Sequence, residues 1–138
     1  MIRLITNIRP FARYLFIIWA ITIIIVSSIP SIPTLKIHLA KSEFRLDYLM
    51  HFCEYGLLAF LAFLTFAGEM FMISFRKYLS IVISLIVFAI LDELHQKLIP
   101  GRSYNINDIL SNVTGILAAL VFCIVVFRGL KRRQKIKV

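Results

Sequence analysis

An all-α, integral-membrane four-helix bundle is the fold class this sequence predicts, on three observations. Of 138 residues 60% are hydrophobic and only 17% charged, and mean hydropathy is +0.89, against roughly 45–50% apolar content in soluble domains. Four apolar runs each approach the ~20 residues needed to cross ~30 Å of hydrocarbon. The charges fall mostly between those runs, where they act as topology signals.

Taken in order, the predicted helices cover about 11–29, 47–67, 78–98 and 106–127. Residues 1–138 read as a single transmembrane domain, without internal repeats or low-complexity tracts. The connections are "PSIPTLKIHLAKSEFRL", "GEMFMISFRK" and "PGRSYN", punctuated as helix stops by Pro30, Pro33, Pro100 and Gly101. The first run has a second reading as a signal peptide, with Val26 and Ser28 as small residues before a cut. Against it stand the length of the run and the nearby Pro30. Cys53 and Cys123 fall at depths differing by roughly 15 Å on the helical rise, too far for a disulfide, and are expected as packed thiols.

Orientation follows from the basic residues. Arg3, Arg9, Arg13, Arg76, Lys77, Arg128, Lys131, Arg132, Arg133, Lys135 and Lys137 share one side, eleven in all. Lys36, Lys41, Arg45, Lys97 and Arg102 make five on the other. The positive-inside rule places both termini in the cytoplasm and the stretch "LDELHQKLIPGRSYNIND" outside. The net charge of +9 is thereby explained without nucleic acid, for which no recognition module is visible.

Depth singles out the functional candidates. Asp92 lies about 9 Å inside the outer end of the third helix by helical rise. Asp47, His51, Glu54 and Tyr55 fall within the first ~12 Å of the second helix and within roughly 100° of arc. The fourth supplies Asp108 and Asn112, continued inward by Gly115 and Ala119, a polar mouth running into a seam of small residues. Charged groups at this depth are costly unless they face the bundle interior, water or each other. The first helix, with Trp19, Thr22, Ser27 and Ser28, is expected to be peripheral to this layer.

The same residues carry a family resemblance. "LDYLMHFCEYGLLAFL" followed by "LDELHQKLIPGRSYNINDILSNVTG" resembles the VanZ-like family of bacterial integral membrane proteins, named for a member associated with teicoplanin resistance. Asp47, His51, Tyr55, Asp92, Glu93, Gln96, Pro100, Gly101, Arg102, Asp108, Asn112 and Gly115 match its pattern in order, over residues 47 to 115. Tyr48 stands where many members carry Lys, so that cation's task would fall to Lys97 or Lys41. The resemblance implies a fold and a cell-envelope context, not a reaction.

Asp92, Glu93 and His51 are the catalytic candidates, the adjacent carboxylates as general acid and base and the imidazole as an oriented base near Glu54. Of the two carboxylates Asp92, on the face of Gln96, is expected inward. The alternative is an ion pair from this acidic stretch to Lys97 or Arg102, with His51 a structural residue. Asp47, Glu54, Tyr55, Gln96, Arg102, Asp108 and Asn112 are the substrate-binding candidates. Arg102, turned back by Pro100-Gly101, suits a phosphate or carboxylate; its alternative is a salt bridge to Asp108. His51, Glu54, Asp92 and His95 are metal-capable, but no HExxH or cysteine pattern accompanies them, and neither metal nor cofactor is expected. His38 is expected in a loop at the lipid surface. The basic tail is read as a topology anchor that attracts anionic lipid. The expected partners are membrane lipids and an anionic envelope substrate or lipid-linked precursor. Proton-coupled transport is disfavoured because the inner halves of the helices lack an ionisable relay.

Overall fold

Four helices and a short hairpin follow one another in the computed structural model, which describes residues 7–30, 36–39, 42–67 and 73–136. Helix α1 is Ala12–Ser27, entered through a 3-10 turn at Arg9–Phe11. Strands β1 (Lys36–Leu39) and β2 (Ser42–Arg45) precede α2 (Leu46–Phe66), α3 (Phe75–Gln96) and α4 (Ile106–Ile136). Pro33, Lys41 as a replacement cation, and the basic residues Arg3 and Lys137 lie outside the described residues.

Three of the helices, Leu46–Phe66, Phe75–Gln96 and α4 over Ile106–Arg132, are long and apolar enough to cross a membrane, with mean hydropathies of 1.6, 1.8 and 2.5. At 16 residues α1 is shorter than expected. Its α-helical rise gives about 24 Å, and the 3-10 turn adds roughly 6 Å. Near its end Ser27 and Ser28 return their hydroxyls to the Ile24 carbonyl, which keeps both satisfied in an apolar setting.

The connection before α2 was expected to be irregular and instead carries the antiparallel hairpin, with Lys36 opposite Arg45 and His38 opposite Glu43. His38 is therefore a strand residue rather than a loop residue. Polar and apolar residues alternate throughout "KIHL" and over the last three of "SEFR", which suits the two-residue period of a strand. The hairpin delivers Arg45 directly to the first turn of α2.

Helix α2 is the spine of the bundle and lies closest to α4, where Gly56 and Gly115 meet. A Cβ on Gly115 would collide with the Phe52 carbonyl and come within 3.0 Å of the Gly56 nitrogen. Small residues at such a seam let helix backbones approach, which is how helices associate in lipid. Below it the core is Leu58, Ala59, Ala62, Phe63, Leu85, Ala89, Ile116 and Cys123. Phe63 and Tyr78 stack obliquely at 5.5 Å near the other end. Outward faces stay apolar, with Ile18, Ile21 and Ile25 on α1 and Val121 and Val125 on α4 more than half exposed, as lipid-facing surfaces require. Cys53 belongs to such an outward face, correcting its expected burial; Cys123 is buried, and both are free thiols.

Candidate functional site

The last turn of α3 opens into a turn made for its sequence. Pro100 and Gly101 occupy the central positions, the Arg102 N–H donates to the Ile99 carbonyl at 3.1 Å, and Gly101 has φ 76°. This is the type II arrangement, which requires glycine at the third position. It turns Arg102 back toward the bundle.

Asn105 then caps α4. Its side-chain oxygen accepts from the Asn107 N–H at 3.1 Å, and its amide donates to Asp108 at 3.1 Å. In a capping box the third helical residue reaches back to the N–H of the cap residue. Here Glu93 of α3 takes that N–H instead, Oε1 accepting from Asn105 N at 2.8 Å. Asp108 is left to face across the site, where its Oδ2 lies 3.8 Å from His51 Nε2.

Asp92 and Glu93 are both buried, at 6% and 0% exposure. The expectation that only Asp92 could turn inward is thus corrected. The end of α3 sits between two neighbours, so side chains 100° apart each find an interior: Asp92 meets α2 and Glu93 meets the α4 cap. Asp92 Oδ2 accepts from the Tyr55 hydroxyl at 3.1 Å and from Gln96 Nε2 at 3.3 Å. Neither carboxylate pairs with Lys97 or Arg102 among the described residues.

A cavity of about 300 Å³ opens at this end of the bundle. Its walls include Asp47, His51, Glu54, Asp92, Gln96, Arg102 and Asp108. Tyr55, Glu93 and Asn112, the remaining candidates, stand behind the wall. Asn112 is fully buried, and both of its amide atoms lack a hydrogen-bond partner, as do His51 Nδ1, Glu93 Oε2 and Arg102 Nε. Unpaired buried polar atoms are rare and costly, and here they gather in one layer.

Arg102 does not bridge to Asp108. Its Nη2 donates to the Val26 carbonyl at 3.1 Å, an oxygen that also receives the Ile29 N–H. Carbonyls in the last turn of a helix lack intrahelical donors and carry partial negative charge, so a guanidinium is a natural partner. Helix α1 is consequently no bystander, correcting its expected peripheral place. Ile23, Val26 and Ser27 line the cavity, and the Trp19 indole N–H donates to the Glu54 carbonyl at 2.9 Å.

Arg45 lines the cavity too and was not among the candidates. It pairs with Asp47 through Nε at 3.1 Å and through Nη2, and its guanidinium lies over the Tyr48 ring at 4.9 Å. Hydrogen bonding to Asp47 raises its pKa further, so it stays a cation. Its signal in the sequence was a basic residue two before Asp47. That of Asn105 was the capping pattern "NIND". The Val26 carbonyl left no side-chain signal at all.

The VanZ/LLP1 family model matches residues 5–128. The chain belongs to this family. No curated protein and no solved structure matches it significantly. The VanZ/LLP1 match spans α1 as well as the polar layer, consistent with a first helix that closes the site. Among the described residues no group of three or more His, Cys, Asp or Glu is placed to hold a metal ion.

Proposed function

We propose that this VanZ-family membrane protein acts at the outer face of a bacterial cell membrane, through the polar cavity, on the head of an anionic envelope lipid or lipid-linked precursor. The observation that carries this reading is the convergence of Asp47, His51, Glu54, Asp92, Gln96, Arg102 and Asp108 on one cavity at one depth. A volume of about 300 Å³ stands at the lower end of the roughly 300–1,000 Å³ of ligand sites. It suits a head group whose remainder stays in the bilayer or in the medium. Asp92, oriented by Tyr55 and Gln96, and His51, beside Asp108, are the groups positioned for proton transfer. Glu93 serves them from behind by fixing the start of α4. Arg102, which lines the cavity and carries a guanidinium fork suited to phosphate, is the anion contact.

A second reading has its own support: Glu93 is committed to the Asn105 N–H, so the adjacent carboxylates do not face one substrate together. In that reading the site holds a lipid head or a glycopeptide without turnover. Glycopeptide resistance, implied by the family resemblance, follows from either. Purified protein incubated with labelled envelope lipids decides between them. Product that disappears in Asp92→Asn supports an enzyme; saturable binding without product supports the binding protein; neither binding nor product overturns the site.

A further inference from the structure

The charges on the cavity wall do not balance. Asp47, Glu54, Asp92 and Asp108 face Arg45 and Arg102, and Arg45 is already consumed by Asp47. Asp108 has His51 at 3.8 Å, and Asp92 has neutral donors from Tyr55 and Gln96. The Glu54 carboxylate has no hydrogen bond or ion pair among the described residues, only the longer-range charges of His51 and Arg102, although its backbone carbonyl holds Trp19. Across the same cavity the Arg102 guanidinium has only the Val26 carbonyl as a hydrogen-bond partner among the described residues, and its charge acts on Glu54 without an ion pair or hydrogen bond between them. An anion alone would satisfy Arg102 and be repelled by Glu54 and Asp92. A cation alone would do the reverse. Uncompensated charge at membrane depth is expensive, so a ligand that answers only one sign leaves that penalty standing.

We infer that the ligand's head is dipolar, with a phosphate-type anion on Arg102 and a primary ammonium between Glu54 and Asp92. A phosphoethanolamine head has this chemistry, joins its two charges by a two-carbon link, and is of a size for the cavity. The inference rests on the lipid-head reading above, keeps its phosphate and replaces its net anionic head with a zwitterionic one. Apolar Ile23, Val26 and Met50 share the wall, and Met50 is 52% exposed, so the mouth also offers a path for an acyl chain.

The test uses the purified full-length protein in detergent, titrated with phosphatidylethanolamine or phosphatidylglycerol of identical acyl chains and followed by thermal shift. Water-soluble phosphoethanolamine and inorganic phosphate are the competitors. The expected result is a preference for phosphatidylethanolamine of about tenfold, equivalent to ~1.4 kcal/mol. Glu54→Gln should narrow that preference to within about threefold, or ~0.7 kcal/mol. Displacement by phosphoethanolamine but not by phosphate assigns recognition to the head alone. Phosphatidylethanolamine binding that neither competitor displaces assigns it to the lipid-borne head, and both results support the dipolar ligand. Equal binding of the two lipids overturns the inference and leaves the anionic reading standing. Binding of neither lipid overturns both. The wild-type comparison decides these outcomes even if the Glu54 variant does not fold.

Discussion

Tyr55 and Asp92 form the one side-chain hydrogen bond among the described residues that joins α2 to α3 within the site, and both partners are buried. Removing the hydroxyl with Tyr55→Phe strands part of a carboxylate, which should lower stability by about 1–3 kcal/mol. Asp92→Asn keeps an oxygen to accept from Tyr55 and Gln96, so its melting point in detergent should stay near wild type while turnover or ligand binding is lost. Comparable losses of stability in both variants would make Asp92 a packing residue. At Arg102 the geometry makes a different demand, because its partner is a main-chain carbonyl. Arg102→Lys should cost about 0.5–1.5 kcal/mol, the net worth of an ordinary hydrogen bond. It should impair binding more strongly, since lysine lacks the guanidinium edge. The paired change Arg102→Asp with Asp108→Arg should rescue neither property, and recovery of both in melting and binding assays would restore the salt bridge that the structure does not show. The carboxylates, His51 and Gln96 were legible in sequence because polar side chains at membrane depth stand out against an apolar run. Arg45 was not, because it lies at the hairpin end, outside any apolar period. The Val26 carbonyl was invisible because every residue has one.

Helix positions in the sequence were readable from apolar run length alone, but helix ends were not. Backbone hydrogen bonding in α4 continues to Ile136, beyond the expected end at residue 127. Lys, Arg and Gln are good helix formers and need no hydrocarbon around them. The end of apolarity marks the membrane boundary, and the end of the helix is a separate event. The hairpin was missed for the converse reason: strands of four residues are too short for a period to declare itself beside two prolines. Three glycines in the described helices, Gly56 and Gly115 at the α2–α4 seam and Gly129 away from it, separate packing from propensity. Gly115→Ala must displace the Phe52 carbonyl, and overpacking of this kind costs about 1–3 kcal/mol. Gly56→Ala meets the Gly115 carbonyl at 3.5 Å, an ordinary contact, and Gly129→Ala meets nothing within 4 Å. Alanine's helix preference of about 0.5–1 kcal/mol should make Gly129→Ala neutral to stabilising. The expected melting order in detergent is Gly129→Ala at the top, Gly56→Ala near wild type and Gly115→Ala lowest. A harmless Gly115→Ala would show that α2 and α4 do not approach as closely as described.

For the molecule as a whole, which end faces outward decides what the cavity can meet. The bundle places the ends of α1 and α3 beside the starts of α2 and α4, so the cavity has one side only. The sequence assigns eleven Lys and Arg residues to the segments opposite the cavity and five to those on its side, which predicts that the cavity side is external, because basic segments resist translocation. Reporter fusions after Lys41 and Tyr104 should therefore report the outside, and fusions after Lys77 and Val138 the cytoplasm. The basic residues of the cavity side do not weaken that bias as much as their number suggests. Arg45 is tied to Asp47 and Arg102 to the Val26 carbonyl, so two of the five are fixed within the folded site. An external Lys77 would reverse the molecule, turn the cavity toward the cytoplasm and exclude glycopeptides and outer-leaflet lipids as its ligands. A dipolar head would remain chemically acceptable there, since phospholipid heads line both faces of a bilayer. Topology and head-group preference thus fail independently: the fusions test where the site works, and the lipid titration tests what it holds.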